Sequence, residues 1–141
     1  MFQPLYIATA TAHGGREGKV QTDDGKVSHT LSMPTSLGGK GGPGTNPEQL
    51  FAAGWSACYL GALRFVAGKQ NVRLTPEAQV TAKIGLGQRD DGAGFALEAT
   101  ILVRAPGLDR AAAEKLAEAA HLVCPYSHAT RGNIAVTTQI E

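Results

Sequence analysis

Apolar residues recur along this chain with two periods, one of two residues and one between three and four. Apolar residues alternate with polar or small ones in six short segments, and this period of two predicts strands. The six segments are residues 6–12, 19–22, 27–33, 80–86, 95–103 and 133–140. The Asp24-Gly25 pair is typical of a hairpin turn between the second and third segments, and a glycine-rich turn at 90–94 joins the fourth to the fifth.

A first helix is predicted to begin at residues 46–48 and to end near Gly68. Asn46 can cap it, Pro47 suits the first helical position, and Glu48 complements the positive end of the helix dipole. One apolar face has helical spacing and consists of Phe51, Trp55, Cys58, Ala62 and Phe65. Since the other faces are scarcely more polar, the pattern predicts a helix that is buried on all sides, which in so small a domain hints at a dimer.

A second helix is predicted over residues 110–123, after a cap at Asp109. Its apolar stripe consists of Ala113, Leu116, Ala120 and Val123. Pro125 follows the last turn and stops the helix, and the glycine-rich segment 34–45 is predicted to be a loop. The order of elements is therefore β-β-β-α-β-β-α-β. Because hairpins dominate, the predicted fold class is α+β, with mainly antiparallel sheets packed on two helices.

The composition limits the class of protein further. A chain of 141 residues, 43% of them hydrophobic and 18% charged, fits one folded domain over residues 1–141. A formal charge of +1 argues against nucleic acid or an anionic membrane as the partner. The longest uncharged apolar run, 50–63, has 14 residues against about 20 needed to span a bilayer, so no membrane span is predicted. Because the N-terminus has no signal-peptide pattern, we expect a cytoplasmic protein with reduced cysteines.

The two cysteines allow three interpretations. Cys58 lies midway along the first helix and Cys124 at the end of the second, so they do not form a C-x-x-C motif. They can be two core thiols, a redox pair, or part of a metal site. His121 and His128 lie within four residues of Cys124, a spacing compatible with zinc ligands, but Cys58 in an apolar helix is a poor fourth ligand.

Two charged residues are candidates for activating a cysteine. A thiolate nucleophile needs a nearby cation, and Arg16 lies in a glycine-rich turn where its backbone can be placed freely. Glu48, at the start of the first helix, can hold a guanidinium group through two hydrogen bonds. On spacing alone, both residues can equally be surface charges. The segment 39–44 matches G-x-G-x-x-G, but it follows a hairpin rather than opening a βαβ unit, so we interpret it as an ordinary loop.

Two cysteine-containing segments carry a resemblance to a known family. Residues 46–58 (NPEQLFAAGWSAC) and 123–127 (VCPYS) closely resemble the motifs of the organic hydroperoxide resistance (Ohr) subfamily of OsmC-like proteins. The resemblance covers nearly the whole chain and includes residues 6–12, the turn at 14–18 and the terminal strand. The two cysteine motifs in this order are specific, whereas the glycine loop is not.

The resemblance implies an OsmC-like fold and an intertwined homodimer with two active sites at the subunit interface. It further implies a thiol peroxidase that reduces organic and fatty-acid hydroperoxides to alcohols and protects against oxidative stress. Carried over to matching positions, Cys58 is the peroxidatic cysteine, Cys124 the resolving cysteine, and Arg16 and Glu48 the polar partners of the Cys58 thiolate. The resemblance implies no metal or haem cofactor, and it implies reduction by dihydrolipoyl groups on lipoylated proteins.

Other interpretations remain open at this point. The sister OsmC subfamily has the same fold and cysteine chemistry with a broader role in stress. A non-catalytic protein that binds a small lipid in an apolar dimer pocket, or a redox sensor, is the alternative from another class. The absence of a basic patch counts against a transcriptional sensor.

Overall fold

The elements follow the chain order that the alternation predicts, with one addition. The computed structural model describes all residues, 1–141. Its strands are β1 (Ala10–His13), β2 (Lys19–Thr22), β3 (Ser28–Thr30), β4 (Gln79–Gln88), β5 (Phe95–Arg104) and β6 (Ala135–Ile140). Its helices are α1 (Pro47–Lys69), α2 (Arg110–Val123) and the additional α3 (Pro125–Thr130). The fold is α+β with mainly antiparallel strand pairs, as predicted.

The residues cluster into two compact units, Met1–Leu50 and Phe51–Glu141. The expectation of a single domain over 1–141 stays a prediction. In the first unit β1, β2 and β3 form an antiparallel meander. Gly25, with φ 72°, makes the predicted turn, which is closed by a hydrogen bond of 2.9 Å from the Thr22 amide to the Val27 carbonyl.

The first strand is shorter than predicted. The alternation indicated residues 6–12, but β1 begins only at Ala10, where it can pair with Thr22 at the end of β2. Tyr6 and Ile7 precede the paired region and are exposed. The predicted strand at 27–33 is likewise reduced to β3, because β2 offers partners only as far as Lys19. Alternation of apolar and polar residues indicates that a segment tends to be extended. The residues that the neighbouring strand offers for pairing set the length of the strand.

In the second unit β4, β5 and β6 form one sheet. β4 and β5 pair antiparallel over ten residues each, from Gln79 opposite Arg104 to Gln88 opposite Phe95. β6 pairs parallel with β5, which the sequence did not predict. The physical reason is the connection, because α2 and α3 return the chain to the end of the sheet from which β5 started.

The core of the second unit lies between this sheet and the two longer helices. Its largest fully buried side chains are Trp55, Tyr59 and Leu63 from α1, Ile101 and Val103 from β5, and Leu116 from α2. The predicted apolar face of α1 was partly wrong, because Phe65 is 54% exposed. A helix that is apolar all round has no polar face to mark its solvent side, so its periodicity cannot identify the face that packs.

α1 is buried on one side only within the chain. The opposite side exposes Ala53, Ala57, Gly61 and Phe65. By length and composition α1 could cross a membrane, since an 18-residue window of this helix has a mean hydropathy of 1.4. Of the residues in that window, 33% are buried. The expectation that no segment is long enough was wrong by this measure, because Arg64 ends the uncharged run without ending the helix. The core helix of a protein without a membrane span passes the same test.

α2 begins and ends where the sequence indicates. The Asp109 carboxylate accepts a hydrogen bond of 2.8 Å from the Ala112 amide and caps the helix. Val123, predicted to belong to the apolar stripe, is 45% exposed, and Ala117 is buried in the core instead. Pro125 does more than end α2, because it is the first residue of α3. Cys124 therefore lies at the junction of two helices.

The hydroxyl group of Tyr59 supplies a first test of this packing. It is fully buried and donates a hydrogen bond of 2.7 Å to the Ala117 carbonyl of α2. We expect Tyr59→Phe to lower the free energy of unfolding in urea by about 1 kcal/mol, the usual net contribution of such a bond. Tyr6→Phe is the matched control, since Tyr6 is 79% exposed, and it should leave stability unchanged. Equal stability of both variants would contradict this account of the α1–α2 contact.

Candidate active site

A tight turn positions Arg16 in the first unit. Gly14 and Gly15 have φ of 73° and 61°, a region that disfavours other residues, and the chain then makes a single 3₁₀ turn. Gly18 closes this turn so near β1 that a Cβ atom there would lie 1.7 Å from the His13 carbonyl oxygen. The glycines predicted to give freedom to the Arg16 backbone therefore fix its position.

Arg16 and Glu48 form a bidentate ion pair. Arg16 Nη1 donates to Glu48 Oε2 at 2.8 Å, and Arg16 Nη2 donates to Glu48 Oε1 at 2.7 Å. Glu48 is in the first turn of α1, which Asn46 caps by accepting a hydrogen bond of 2.9 Å from the Gln49 amide. The hydrogen bonds from Arg16 hold the pKa of Glu48 below its ordinary value, against the opposing effect of burial. The two residues are thus paired rather than separate surface charges.

The two cysteines meet in the second unit. Cys124 Sγ lies 3.8 Å from Cys58 Sγ, with the Cys124 thiol donating, and both cysteines are free. Cys58 is partly buried and Cys124 fully buried. A disulfide requires sulfur atoms about 2.05 Å apart, so a small approach would bring them to bonding distance once an oxidant removes two electrons. The structure thus brings together residues 66 positions apart in the sequence.

Within the chain, the surroundings of Cys58 oppose ionisation. Burial raises the pKa of the Cys58 thiol, and the charge and hydrogen bond of Cys124 raise it further. The Tyr126 amide acts in the opposite direction, because it stabilises the thiolate by donating a hydrogen bond to it. A thiol with a raised pKa is a poor nucleophile at neutral pH.

Aromatic side chains in the two turns of α1 before Cys58 pack together with Tyr126 of α3. The rings of Phe51 and Tyr126 stack at 5.9 Å, and Phe51 also contacts Trp55 at 5.4 Å between centroids. Gly54 makes room for this arrangement, because a Cβ atom at that position would lie 3.0 Å from the Tyr126 hydroxyl. In the sequence, Tyr126 appeared only as part of the VCPYS motif and had no predicted role. Its position directly after Pro125 was the one available signal.

His121 clamps the segment that carries Cys124. Its Nδ1 lies 2.8 Å from Ser127 Oγ on α3, and its Nε2 lies 2.7 Å from Thr138 Oγ1 on β6. Arg131 donates a hydrogen bond of 2.6 Å to the His121 carbonyl. From the sequence, His121 was a candidate metal ligand or a partner of the helix dipole, and this structural role was missed. Its hydroxyl partners lie six and 17 residues further along, so no local pattern could reveal them.

The geometry gives little support to two alternative sites considered from the sequence, a metal site near Cys124 and a phosphate-binding glycine loop. His128 is exposed on α3, and no three metal-ligating side chains cluster anywhere in the chain. In the glycine loop, the amides of Gly39 and Gly41 donate to the Pro34 and Met33 carbonyls, each at 3.0 Å. The Gly44 amide donates to Ser32 Oγ at 2.8 Å. Amides engaged in this way cannot cradle a phosphate group.

Comparison with known proteins identifies the class. A family model described as OsmC-like protein matches residues 38–139. An organic hydroperoxide resistance protein of Xanthomonas axonopodis pv. citri is 50% identical over 133 residues, covering 94% of this chain and 92% of the relative. The crystal structure of an organic hydroperoxide resistance protein from Legionella pneumophila superposes with a TM-score of 0.92 at 44% identity, covering 99% of both chains. That of OhrB from Bacillus subtilis gives a TM-score of 0.89 at 41% identity, covering 98% of this chain and 100% of the other.

The fold and the paired cysteines thus define an OsmC-like protein, and the chain belongs to this family. Within it, the relatives place the chain in the organic hydroperoxide resistance subfamily. The resemblance drawn from the two cysteine motifs is confirmed, together with the α+β fold.

The partly buried position of His121 predicts a pH dependence of stability. Burial lowers the pKa of His121 in the folded chain from its ordinary value of 6.5, and the charge of Arg131 lowers it further. The unfolded chain therefore binds a proton at a higher pH than the folded chain does. We expect the free energy of unfolding to be unaffected by this group above that value and to fall as the pH decreases through 6.5.

The measurement is urea unfolding at about pH 8 and about pH 5, bracketing the ordinary histidine pKa. Wild type should lose more stability between these two pH values than His121→Gln, which lacks the titrating group. His29→Gln is the control, because His29 is exposed on β3. An identical pH dependence in wild type and His121→Gln would show that His121 is not held neutral by the fold.

Proposed function

We propose that this protein is a cysteine-based peroxidase that reduces organic hydroperoxides to alcohols. The observation that carries the proposal is the 3.8 Å separation of Cys58 Sγ and Cys124 Sγ, with both thiols free. The names of the relatives supply the substrate class, since they are organic hydroperoxide resistance proteins. A protective role against oxidative stress follows from the same chemistry.

In the first step the Cys58 thiolate attacks the peroxide oxygen farther from carbon. The S–O bond forms as the O–O bond breaks, and the other oxygen takes a proton and leaves as the alcohol. The thiol and the hydroperoxide thus give a sulfenic acid and an alcohol, with the sulfur oxidised and the peroxide reduced by two electrons. Cys58, the less buried of the two cysteines, is the one that a substrate can reach.

In the second step the Cys124 thiol attacks the sulfenic acid of Cys58. The S–S bond forms, the S–O bond breaks, and water leaves. Cys124 is already within 3.8 Å, so it can trap the sulfenic acid before further oxidation. A dithiol reductant then supplies two electrons and two protons to restore both thiols. From the family resemblance we propose dihydrolipoyl groups of lipoylated proteins for this role.

We assign to Arg16 and Glu48 the task of stabilising the Cys58 thiolate. The groups within the chain that raise the pKa of Cys58 make such a cation necessary for fast attack. The bidentate hydrogen bonds to Glu48 fix the orientation of the Arg16 guanidinium group before substrate arrives. A fixed cation can also polarise the O–O bond of the peroxide.

The preference for organic substrates has a physical basis in the rings of Phe51 and Tyr126. These rings lie on α1 in the two turns before Cys58 and on α3 directly after the cysteine pair. An alkyl or fatty-acid group gains free energy by leaving water for such surroundings, whereas hydrogen peroxide has nothing to bury there.

We further propose that the active form is a homodimer in the cytoplasm, with two active sites at the subunit interface. Support comes from the side of α1 that the chain leaves exposed, where Ala53, Ala57 and Gly61 present small apolar residues beside Phe65. Small residues let two helices approach closely, and covering this surface would complete the burial predicted for α1. A reducing compartment keeps both cysteines as thiols between turnovers.

The two cysteines are tested by peroxide consumption with dihydrolipoamide as reductant. Wild type should consume tert-butyl hydroperoxide or a fatty-acid hydroperoxide faster than hydrogen peroxide, and Cys58→Ser should consume none. Cys124→Ser should complete about one turnover and then accumulate sulfenic or sulfinic Cys58, detected by mass spectrometry. Activity retained in Cys58→Ser would disprove the proposal. An inactive wild type with both thiols still titratable after peroxide would favour a binding protein.

The role of Arg16 is tested in the Cys124→Ser background, where Cys58 is the only thiol. Arg16→Ala should raise the pKa of Cys58, followed by thiolate absorbance against pH, and should slow its oxidation by about a hundredfold. Glu48→Gln should give a smaller effect in the same direction, because the guanidinium group stays but loses its orientation. Arg104→Ala, which removes an exposed arginine at the end of β5, is the control. Unchanged oxidation rates in Arg16→Ala would show that another group activates Cys58.

A further inference from the structure

The chain changes direction between α2 and α3 at a single residue, Cys124. Its amide donates a hydrogen bond of 2.9 Å to the Ala120 carbonyl and so completes α2. Its carbonyl accepts a hydrogen bond of 3.0 Å from the His128 amide and so begins α3. The φ of Cys124 is helical at −63°, but its ψ of 120° is far from the helical value of about −42°. The placement of the Cys124 side chain between the two helices therefore depends on this one torsion angle.

Pro125 narrows this torsion angle without fixing it. A proline ring keeps the preceding residue out of the helical region and leaves it a ψ of roughly +120° to +160°. The observed ψ of Cys124 lies at one end of that range, and there its Sγ is 3.8 Å from Cys58 Sγ. Contacts other than the proline ring must select this value.

One side chain joins the elements on both sides of the torsion angle. His121, in the last turn of α2, lies three residues before Cys124, and Ser127, in the first turn of α3, lies three residues after it. The hydrogen bond of 2.8 Å between His121 Nδ1 and Ser127 Oγ therefore spans the junction, and Ser127 is buried. The other ring nitrogen of His121, Nε2, lies 2.7 Å from Thr138 Oγ1 and anchors the junction to β6.

The imidazole ring of His121 also contacts the helix that carries Cys58. It lies 4.6 Å from the ring of Tyr59, measured between centroids, and Tyr59 directly follows Cys58 in α1. Because Tyr59 is fully buried, this contact belongs to the core. The segments that carry the two cysteines are thus both held against the same side chain.

We propose that His121 is a positioning residue for the resolving step, because it holds Cys124 within reach of oxidised Cys58. This role rests on the proposed peroxidase function. The sulfenic acid of Cys58 can react with Cys124 to give the disulfide and water, or with a second hydroperoxide molecule to give the sulfinic acid and an alcohol. The first route is intramolecular, so its rate depends on the placement of Cys124, whereas the second depends on the peroxide concentration. Loss of the His121 contacts should therefore favour the sulfinic acid.

The test measures the partition between these two products in the absence of a reductant. Wild type and variants are treated with rising concentrations of tert-butyl hydroperoxide, and mass spectrometry gives the fractions of disulfide and of sulfinic Cys58. His121→Leu and Ser127→Ala should lower the peroxide concentration that gives equal fractions by about tenfold. The rate of the first oxidation, measured as peroxide consumption at substoichiometric peroxide, should stay unchanged.

Two conservative variants separate the two hydrogen bonds of the ring. The amide group of His121→Asn reaches the position of Nδ1 and keeps the contact with Ser127, whereas that of His121→Gln reaches the position of Nε2 and keeps the contact with Thr138. His121→Asn should therefore partition closer to wild type than His121→Gln does, because only the Ser127 contact spans the junction. Should His121→Leu fail to fold, Ser127→Ala, which removes a single hydroxyl group, decides the question.

Asp109→Ala is the control for stability. It removes the cap at the other end of α2 and leaves the contacts of His121 intact, so it should lower stability and partition as wild type does. Two results would overturn the proposal. In the first, Ser127→Ala folds and partitions as wild type does. In the second, Asp109→Ala shifts the partition as far as Ser127→Ala does, as expected if stability alone governs the resolving step.

A second reagent separates this result from that of the peroxidase proposal. The aromatic disulfide dithiobisnitrobenzoate forms a mixed disulfide with the Cys58 thiolate and releases one thionitrobenzoate. The Cys124 thiol then attacks Cys58 Sγ, so the internal disulfide forms and the second thionitrobenzoate leaves. At equimolar reagent, Ser127→Ala should slow the second release by about tenfold and leave the first unchanged. If peroxide did not react while the second release slowed, the peroxidase proposal would fail and the placement of Cys124 by His121 would stand.

Discussion

The packing of one side of α1 against the β4–β5–β6 sheet and α2 is the interaction on which the cysteine geometry depends. Trp55, Tyr59 and Leu63 are fully buried there, and each such side chain contributes on the order of 2 kcal/mol by leaving water. Tyr59 adds a hydrogen bond to a carbonyl of α2 and so fixes the two helices relative to each other. Cys58 precedes Tyr59 directly, and its sulfur atom is therefore placed by the same contact.

The position of Cys124 depends on a second set of contacts, at the junction of α2 and α3. Pro125 starts α3 immediately after α2 ends, which leaves Cys124 between two helices with its backbone in an extended conformation. His121 holds this junction to β6 and to α3 through two hydroxyl groups, and Arg131 holds the His121 carbonyl. A buried thiol so constrained stays close to its partner without a covalent bond between them.

The charged and ionisable groups that the proposed chemistry requires are divided between the two units of the chain. The thiols belong to the second unit, where burial raises the pKa of Cys58, whereas the oriented guanidinium group of Arg16 belongs to the first. Holding a cation in a bidentate pair with Glu48 reduces the freedom it would lose when substrate binds. In the proposed function, the reactivity of Cys58 is a property of the assembled protein, which no single element supplies.

The sequence by itself determined the elements whose causes are local: the Asp24-Gly25 turn, the Asp109 cap and the ends of α1 and α2. It also singled out Cys58, Cys124, Arg16 and Glu48, because their motifs resemble those of a family. Tertiary structure decided which side of α1 is buried, that β6 runs parallel to β5, that α3 follows directly after Cys124, and that His121 is a clamp. Each of these depends on partners distant in the chain, such as the sulfur atoms 66 residues apart. Periodicity records only how a residue relates to its neighbours, whereas packing selects among surfaces that the sequence leaves equivalent.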